Sequence, residues 1–545
     1  MSISQQQEGP APLTATVQPH YDMEQLSPTQ TYDTIVKDPA DFEDYAAGGA
    51  SHNKAGFERG EVINIDAEGE NRWRPRWKKH FGIQRKRQSS SQEQPQYRVY
   101  KRRWIGLWQL VLLNIVISWD WLTFAAISTT SSLYFDVPES TINWLSTGFL
   151  LAFAVSCPLT VYLLHKGPKQ SIIAASVLLL VGNWIRYAGT VASDNGVFEL
   201  VMVGQILTGL AQPFVLAAPT RYSDMWFTEK GRMGATALAS LANPLGGAIA
   251  SIINPLIGTV PDTVLMVSII ASVACVPSLL VPAAPPTPPS ASSTVSKMPI
   301  MQSVRLMMRN PSFYIVFLTF SAYVGIFNSF STLLNQILYP YGYSEDEAGL
   351  CGAVLILAGL VVCAIVSPII DRTHAYLLSI KLLSPIIAGS ILAMVWAPQT
   401  RTIVAPYLLS GVLGAAAFSL LPVALEYMVE ITFPASPEIS STICWAGGQV
   451  AGAVFIIIMD VLKDDRPVDL EEVRKLGRGN AHGVGDKPPG NMFWSLVFQA
   501  VVAMAILPLP LALGIKMLGL ETREGRLKTD VGNSNTAVLT PEEAA

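Results

Sequence analysis

Twelve apolar runs, each about as long as a bilayer crossing, decide what this 545-residue chain can fold into. A hydrocarbon core about 30 Å thick takes about 20 helical residues. Lipid offers no partner for an open backbone, so each run is read as a helix. The runs cover approximately 104–130, 141–165, 171–192, 198–219, 233–256, 262–283, 312–338, 348–370, 376–397, 402–425, 438–461 and 491–517. Only 14% of the residues are charged, against roughly 25% in soluble domains. The expected fold class is an all-α membrane protein with twelve transmembrane helices.

The segments outside the runs are of three kinds. Residues 1 to about 70 are rich in Gln, Ser, Thr, Pro and acids and poor in bulky apolar residues, which reads as a disordered tail. From Arg72 to Arg87 the chain is basic with interleaved aromatics, RWRPRWKKHFGIQRKR. Anionic lipid headgroups would attract this cluster on a cytoplasmic face, and a solvated basic linker is the plainer reading; both stay open. Residues 284–311 open with the Pro/Ser-rich APPTPPSASSTVSK and read as a central linker. The organisation expected is a tail over 1–100, six helices over 101–283, the linker over 284–311, six helices over 312–517 and a tail over 518–545.

Several function classes have no residues to carry them. The net charge of −4 gives no sign of nucleic-acid binding. Cysteines 157, 275, 351, 363 and 444 show neither disulfide nor zinc spacing. No Walker loop appears, so ATP drive is not expected. The histidines are scattered, and no hydrolase or kinase motif stands at a plausible place. The chain is expected to be no enzyme, to hold no metal or cofactor, and to act as a monomer. No cleavable signal peptide is visible after Met1.

Cations in short loops set the orientation. With a cytoplasmic N-terminus, the inside loops carry Lys166, Lys169, Arg221, Lys230, Arg232, Lys297, Arg305, Arg309 and Arg372. The short outside loops carry Asp136, Glu139, Asp194, Glu199, Asp262, Glu345, Asp346 and Glu347, with Arg401 as their cation. Both termini are then cytoplasmic. The 463–490 loop mixes cations and acids and fits the pattern less well. The plasma membrane is the expected address, with a vacuolar or other organellar membrane as the alternative.

The first run holds the main anomaly. It reads KRRWIGLWQLVLLNIVISWDWLTFAAISTT over 101–130, with Asp120 held between Trp119 and Trp121. A carboxylate inside a spanning segment is expensive and marks a functional site by default. Asp120 lies about 25 Å along the helix from Trp104 at 1.5 Å per residue. Three roles stay open for it: substrate counter-ion, proton-coupling group, or partner of a polar group in the bundle. Trp119 is expected to face lipid or to pack on a neighbour. Arg186, at the end of the third run, is expected to snorkel to the outer headgroups.

Six plus six helices around a central linker is the plan of the major facilitator superfamily, whose two pseudo-symmetric halves enclose a mid-membrane site. IIDRTHAY (369–376) and LLHKGPKQ (163–170) stand where that fold repeats a charged cytoplasmic turn, and Asp371-Arg372 keep its core. More specific strings are NWLSTGFLLAF (143–153), GNWIRYAG (182–189), GQILTGLAQPFVLAAPTRYSDMWF (204–227), NPLGGAI (243–249), STLLNQ (331–336), LPVALEYMVEITFPASPEISS (421–441) and GGQVAG (447–452). Over about 98–517 the chain resembles the feline leukaemia virus subgroup C receptor-related family of facilitators, as a distant member.

The resemblance implies uniport of a small cationic or zwitterionic metabolite. Members of that family are associated with choline and ethanolamine, with haem export, and in a further branch with a B6 vitamer. Carried over residue by residue, the site residues are Trp121, Gln212, Asn243 and Gln449. Two positions depart from the choline carriers: Asp120 stands where they have Gln, and Asn328 where they have Tyr. Arg221, Asp224, Asp371, Arg372, Glu426 and Glu430 are read as gate or latch residues at the cytoplasmic turns. The glycine pairs 246–247 and 447–448 are read as packing positions first. An indole face attracts a cation by roughly 0.5 to 2 kcal/mol, and the two glutamines can orient a hydroxyl or carboxylate. The expected function is alternating-access transport of a small organic solute, choline or ethanolamine first. A haem or pyridine-type vitamin exporter, a proton-coupled carrier, and a non-transporting receptor stay open.

Overall fold

The computed structural model describes residues 99–287, 299–373, 375–432, 435–464 and 491–515. The expectations for the N-terminal tail, the Arg72–Arg87 cluster and the C-terminal tail lie outside the described residues. Among the described residues, twelve helices are long and apolar enough to cross a membrane. Among the described residues there is no strand, and one isolated bridge joins Asp464 to Asn491.

The first half comprises α1 (Arg103–Leu122), α2 (Ser128–Phe135), α3 (Glu139–Lys166), α4 (Pro168–Val191), α5 (Phe198–Leu216), α6 (Ala218–Trp226), α7 (Glu229–Ile257) and α8 (Val260–Cys275). A short α9 (Ile300–Met308) follows inside the segment expected as linker. The second half comprises α10 (Pro311–Leu338), α11 (Glu345–Thr373), α12 (Tyr376–Met394), α13 (Val404–Thr432), α14 (Pro437–Val461), α15 (Phe493–Ile506) and α16 (Pro508–Ala512). Helix α6 prolongs the crossing begun by α5, and α16 that begun by α15.

The packing repeats between halves. Helix α1 lies on α7 as α10 lies on α14, and α3 lies on α5 as α11 lies on α13. The halves meet reciprocally, α3 against α14 and α7 against α11. The glycine pairs explain the repeat. A Cβ at Gly246 would overlap the Ile115 carbonyl of α1, and one at Gly447 would overlap Ser321 of α10. Small residues let backbones approach where lipid gives no hydrophobic drive between helices, and each half uses them at the same joint.

The first crossing departs from expectation. The sequence reads as one helix to Thr130, whereas α1 stops at Leu122 and α2 starts at Ser128. Three polar side chains account for the break. Thr123 Oγ1 donates back to the Trp119 carbonyl at 2.8 Å, Gln205 of α5 donates to the Asp120 carbonyl at 3.1 Å, and Asn254 of α7 donates to the Thr123 carbonyl at 3.1 Å. The carbonyls of Trp119, Asp120 and Thr123 at the helix end thereby find donors, as a helix end in a bundle requires.

Candidate functional site

The broken end of α1 is built from its own polar residues outward. Asp120 and Arg186 are both fully buried, and Arg186 Nη1 donates to Asp120 Oδ1 at 2.5 Å. Asn183 Nδ2 donates to the other carboxylate oxygen at 2.8 Å. The Arg186 guanidinium also lies 5.2 Å from the Phe124 ring centroid. Arg186 therefore does not snorkel to the headgroups as the sequence suggested. It turns inward from α4, because an unpaired carboxylate in the bundle costs more than an ordered arginine. Its stem has room because position 204 is glycine: a Cβ there would lie 2.6 Å from Arg186 Cγ. Of the three roles open for Asp120, the geometry matches the partner of a polar group in the bundle.

Trp119 is buried and donates its Nε1 to Asn254 Oδ1 at 2.8 Å. It packs on a neighbour, one of its two expected placements. Helices α4, α5 and α7 thus grip residues 119, 120 and 123. Trp121 is different. Its Nε1 is buried without a hydrogen-bond partner, and its ring lies 6.4 Å from Phe327 of α10 at 52°. Phe327 in turn meets Phe418 of α13 edge-on at 5.2 Å. Three aromatic rings therefore run from the first half into the second. Sequence reading missed Phe327 and Phe418; Phe327 stands directly before Asn328, the position it had singled out.

The other expected residues fall into groups. Asn328 Nδ2 donates to Gln449 Oε1 at 2.8 Å, joining α10 to α14. A Cβ at Gly452, one turn along α14, would lie 3.0 Å from Asn328 Nδ2 and 3.3 Å from Leu150 of α3, so this pair sits at the seam between halves. Gln212 is buried and its Oε1 has no partner. Two contacts bracket its height: Gln205 reaches Asp120, and the Val215 carbonyl accepts from Asn114 at 3.4 Å. Gln212 therefore lies level with the α1 turns between 114 and 120. Asn243 belongs to a first-half pair, donating to the Asn114 carbonyl at 3.4 Å. The structure brings Asn328 and Gln449 together, and it leaves Asn243 in a contact of its own.

The expected latch residues lie at the end where α1 begins, called here the near end. Arg221 and Asp224 approach each other at 3.5 Å within one turn of α6. Arg372 is exposed at the end of α11, and Glu426 and Glu430 lie on α13. The Asp371 side chain lies outside the described residues.

An inter-half network occupies the opposite, far end. Asp460 Oδ1 of α14 accepts from Ser140 at 2.9 Å and from Asn143 at 2.8 Å, both of α3. Gln336 of α10 donates to Asn143 Oδ1 at 2.7 Å. Lys463 pairs with Glu139 at 2.8 Å, and Asn335 donates to Ser128 of α2 at 3.1 Å. Asn143 and the Asn335-Gln336 pair sit in strings that sequence reading had quoted without giving them a role.

Comparison with known proteins agrees with this architecture. The family description "Major Facilitator Superfamily" matches residues 110–458. Solute carrier family 49 member A3 of Danio rerio is 35% identical over 377 residues, covering 67% of this chain and 80% of the relative. The choline/ethanolamine transporter flvcr2a of Danio rerio is 30% identical over 390 residues, 67% of this chain and 82% of the relative. The choline/ethanolamine transporter FLVCR1 of Felis catus is 29% identical over 395 residues, covering 68% and 70%. Among solved structures, a bacterial homologue of the human lysosomal transporter Spinster, inward-facing and unoccupied, superposes with a TM-score of 0.54 at 14% identity, covering 76% of this chain and 97% of that one. That likeness concerns the fold alone.

Proposed function

This chain belongs to the major facilitator superfamily and is a membrane transporter of a small solute, and from that premise we propose that it carries a small organic cation of the choline and ethanolamine kind. The observation that supports this most is the ring series Trp121–Phe327–Phe418 crossing the seam between halves. Asp120 already has its counter-ion in Arg186. A substrate cation is then received by ring faces rather than by a carboxylate. Such contacts contribute about 0.5 to 2 kcal/mol, more when water is excluded. This suits choline, a weakly hydrated ammonium whose charge is spread over methyl groups, better than the primary ammonium of ethanolamine.

The polar groups divide the remaining work. The unpartnered Gln212 Oε1 accepts from a substrate hydroxyl or ammonium, and the Asn328–Gln449 pair offers an amide face from the second half. Asn243 holds α7 to α1 beside the site, and Asp120 positions Trp121. The strings shared with the receptor-related facilitators and the identities of about 30% support membership of that branch, beside the solute carrier family 49 relatives. The near end faces the cytosol, both termini lie inside, and the plasma membrane is the first address to examine. Arg221, Asp224, Asp371, Arg372, Glu426 and Glu430 close the near end when the far end opens.

Uptake of labelled choline and ethanolamine into proteoliposomes tests this reading. The chain should transport at least one of them, and Trp121→Ala should lower uptake efficiency about ten-fold, within the span set by a single ring–cation contact. Absence of uptake of both, or a Trp121→Ala variant as efficient as the parent, would remove the proposal.

A further inference from the structure

We propose that Glu345 is the lock of the far-end seal, and that it works by capping in trans the helix that the break in the first crossing creates. The three acids 345–347 look equivalent in sequence. The structure separates them. Glu347 closes a capping box on its own helix: its Oε2 accepts from the Ser344 N–H at 2.9 Å, and Ser344 Oγ accepts from the Glu347 N–H at 3.1 Å. The start of α11 is therefore satisfied without Glu345. Asp346 is exposed.

Glu345 instead reaches the other half. Its Oε1 accepts from the Thr130 backbone N–H at 3.2 Å, and its Oε2 accepts from Thr130 Oγ1 at 2.7 Å. Thr130 lies in the first turn of α2, whose own preceding residue, Ile127, supplies no side-chain cap. First-turn amides need an acceptor, and a carboxylate there also meets the positive end of the helix dipole. Asn335 of α10 donates to the same Glu345 oxygen at 3.1 Å and to Ser128 Oγ at 3.1 Å. The cap therefore exists only while the halves meet at the far end.

This arrangement makes the broken crossing part of the gate. An unbroken helix would have used the Thr130 amide internally and left nothing for Glu345 to hold. When the halves part, α2 loses its cap and Glu345 loses both Thr130 donors together, keeping Asn335 of its own half. The capping bond is thus a term present in the sealed state and absent from the opened one. The Asp460, Asn143, Gln336 and Lys463 contacts then share the seal with it.

Hydrogen–deuterium exchange of the purified full chain tests this without knowledge of the substrate, because amide exchange reports brief openings. Glu345→Ala should speed exchange across residues 128–135 by about ten-fold, as expected for loss of a cap and charge-assisted bonds. It should also speed exchange at 139–143 and 458–463, segments that Glu345 does not touch but that the seal joins. Thr130→Val, which keeps the amide and removes one donor, should shift the same segments in the same direction by less. Glu347→Ala should affect only the start of α11. Faster exchange confined to 128–135 in both Glu345→Ala and Thr130→Val would reduce Glu345 to a local cap and overturn the proposal. So would unchanged exchange in all three segments.

Discussion

Arg186→Gln, Asp120→Asn and the double variant separate a positioning role for Asp120 from a direct contact with substrate. Both side chains are 0% exposed, and the second carboxylate oxygen is held by Asn183. Removing one partner of a buried pair costs about 3–5 kcal/mol, because the other charge stays buried alone, whereas replacing both is often near neutral. Each single variant should therefore lose about 3–5 kcal/mol of unfolding free energy in mixed micelles. The double variant should lose about 1 kcal/mol, a coupling far above the few tenths expected of independent sites. Transport carries the second half of the test. If Asp120 only holds Trp121 in place, the double variant keeps a KM within about three-fold of the parent. A substrate counter-ion would cost at least ten-fold, or about 1.4 kcal/mol. Additive losses in stability would refute the paired reading, and a KM that stays high in a stable double variant would refute the positioning role.

Other expectations follow from the same contacts. Gly246→Leu and Gly447→Leu should each prevent stable folding, since a first side-chain carbon already overlaps Ile115 or Ser321; monodispersity after extraction reads this directly. Uptake should run at equal rates with and without an imposed proton gradient, because both Asp120 oxygens have partners within the protein. A gradient-driven rate would restore the proton-coupled alternative. Arg221→Gln should change unfolding free energy by no more than about 1 kcal/mol, since the Arg221–Asp224 pair is long at 3.5 Å, only partly buried and within one helix.

The twelve crossings and the two halves were legible because lipid enforces length and apolarity, signals that survive without any knowledge of contacts. The Trp121 and Gln449 assignments rested on strings shared with relatives, and Asn328 on a departure from them. Three features were hidden for physical reasons. The break after Leu122 has no Pro or Gly at the break itself; it is made by side chains of α5 and α7 that are distant in sequence. Arg186 ends a run as a snorkelling residue would, and only the path of α4 past Gly204 shows that it points inward. The far-end seal uses Glu139 and Glu345, which loop charge reads only as outside residues, together with Asp460 inside a run, and its partners lie between about 190 and 320 positions apart along the chain.

The break also ties the site to the seal. Gln205 and Asn254 hold the carbonyls of Asp120 and Thr123, which flank Trp121, while the helix that restarts at Ser128 carries the Glu345 contact. Replacing both side chains in Gln205→Leu/Asn254→Leu removes the donors to those carbonyls that make stopping at Leu122 favourable. Those carbonyls then find partners most cheaply in a continued helix, at 1.5 Å and about 100° per residue. Regular helix through residues 123–127 would change the rotation and rise at which α2 starts, and the Thr130 amide would be consumed inside the helix. The variant should therefore lose uptake efficiency and show faster exchange at 139–143 and 458–463 together, although it alters no residue of the seal and no ring of the site. Loss of uptake with the seal's exchange unchanged would mean that the two ends of the break act separately, and that Trp121 is held by α4 alone through Asp120.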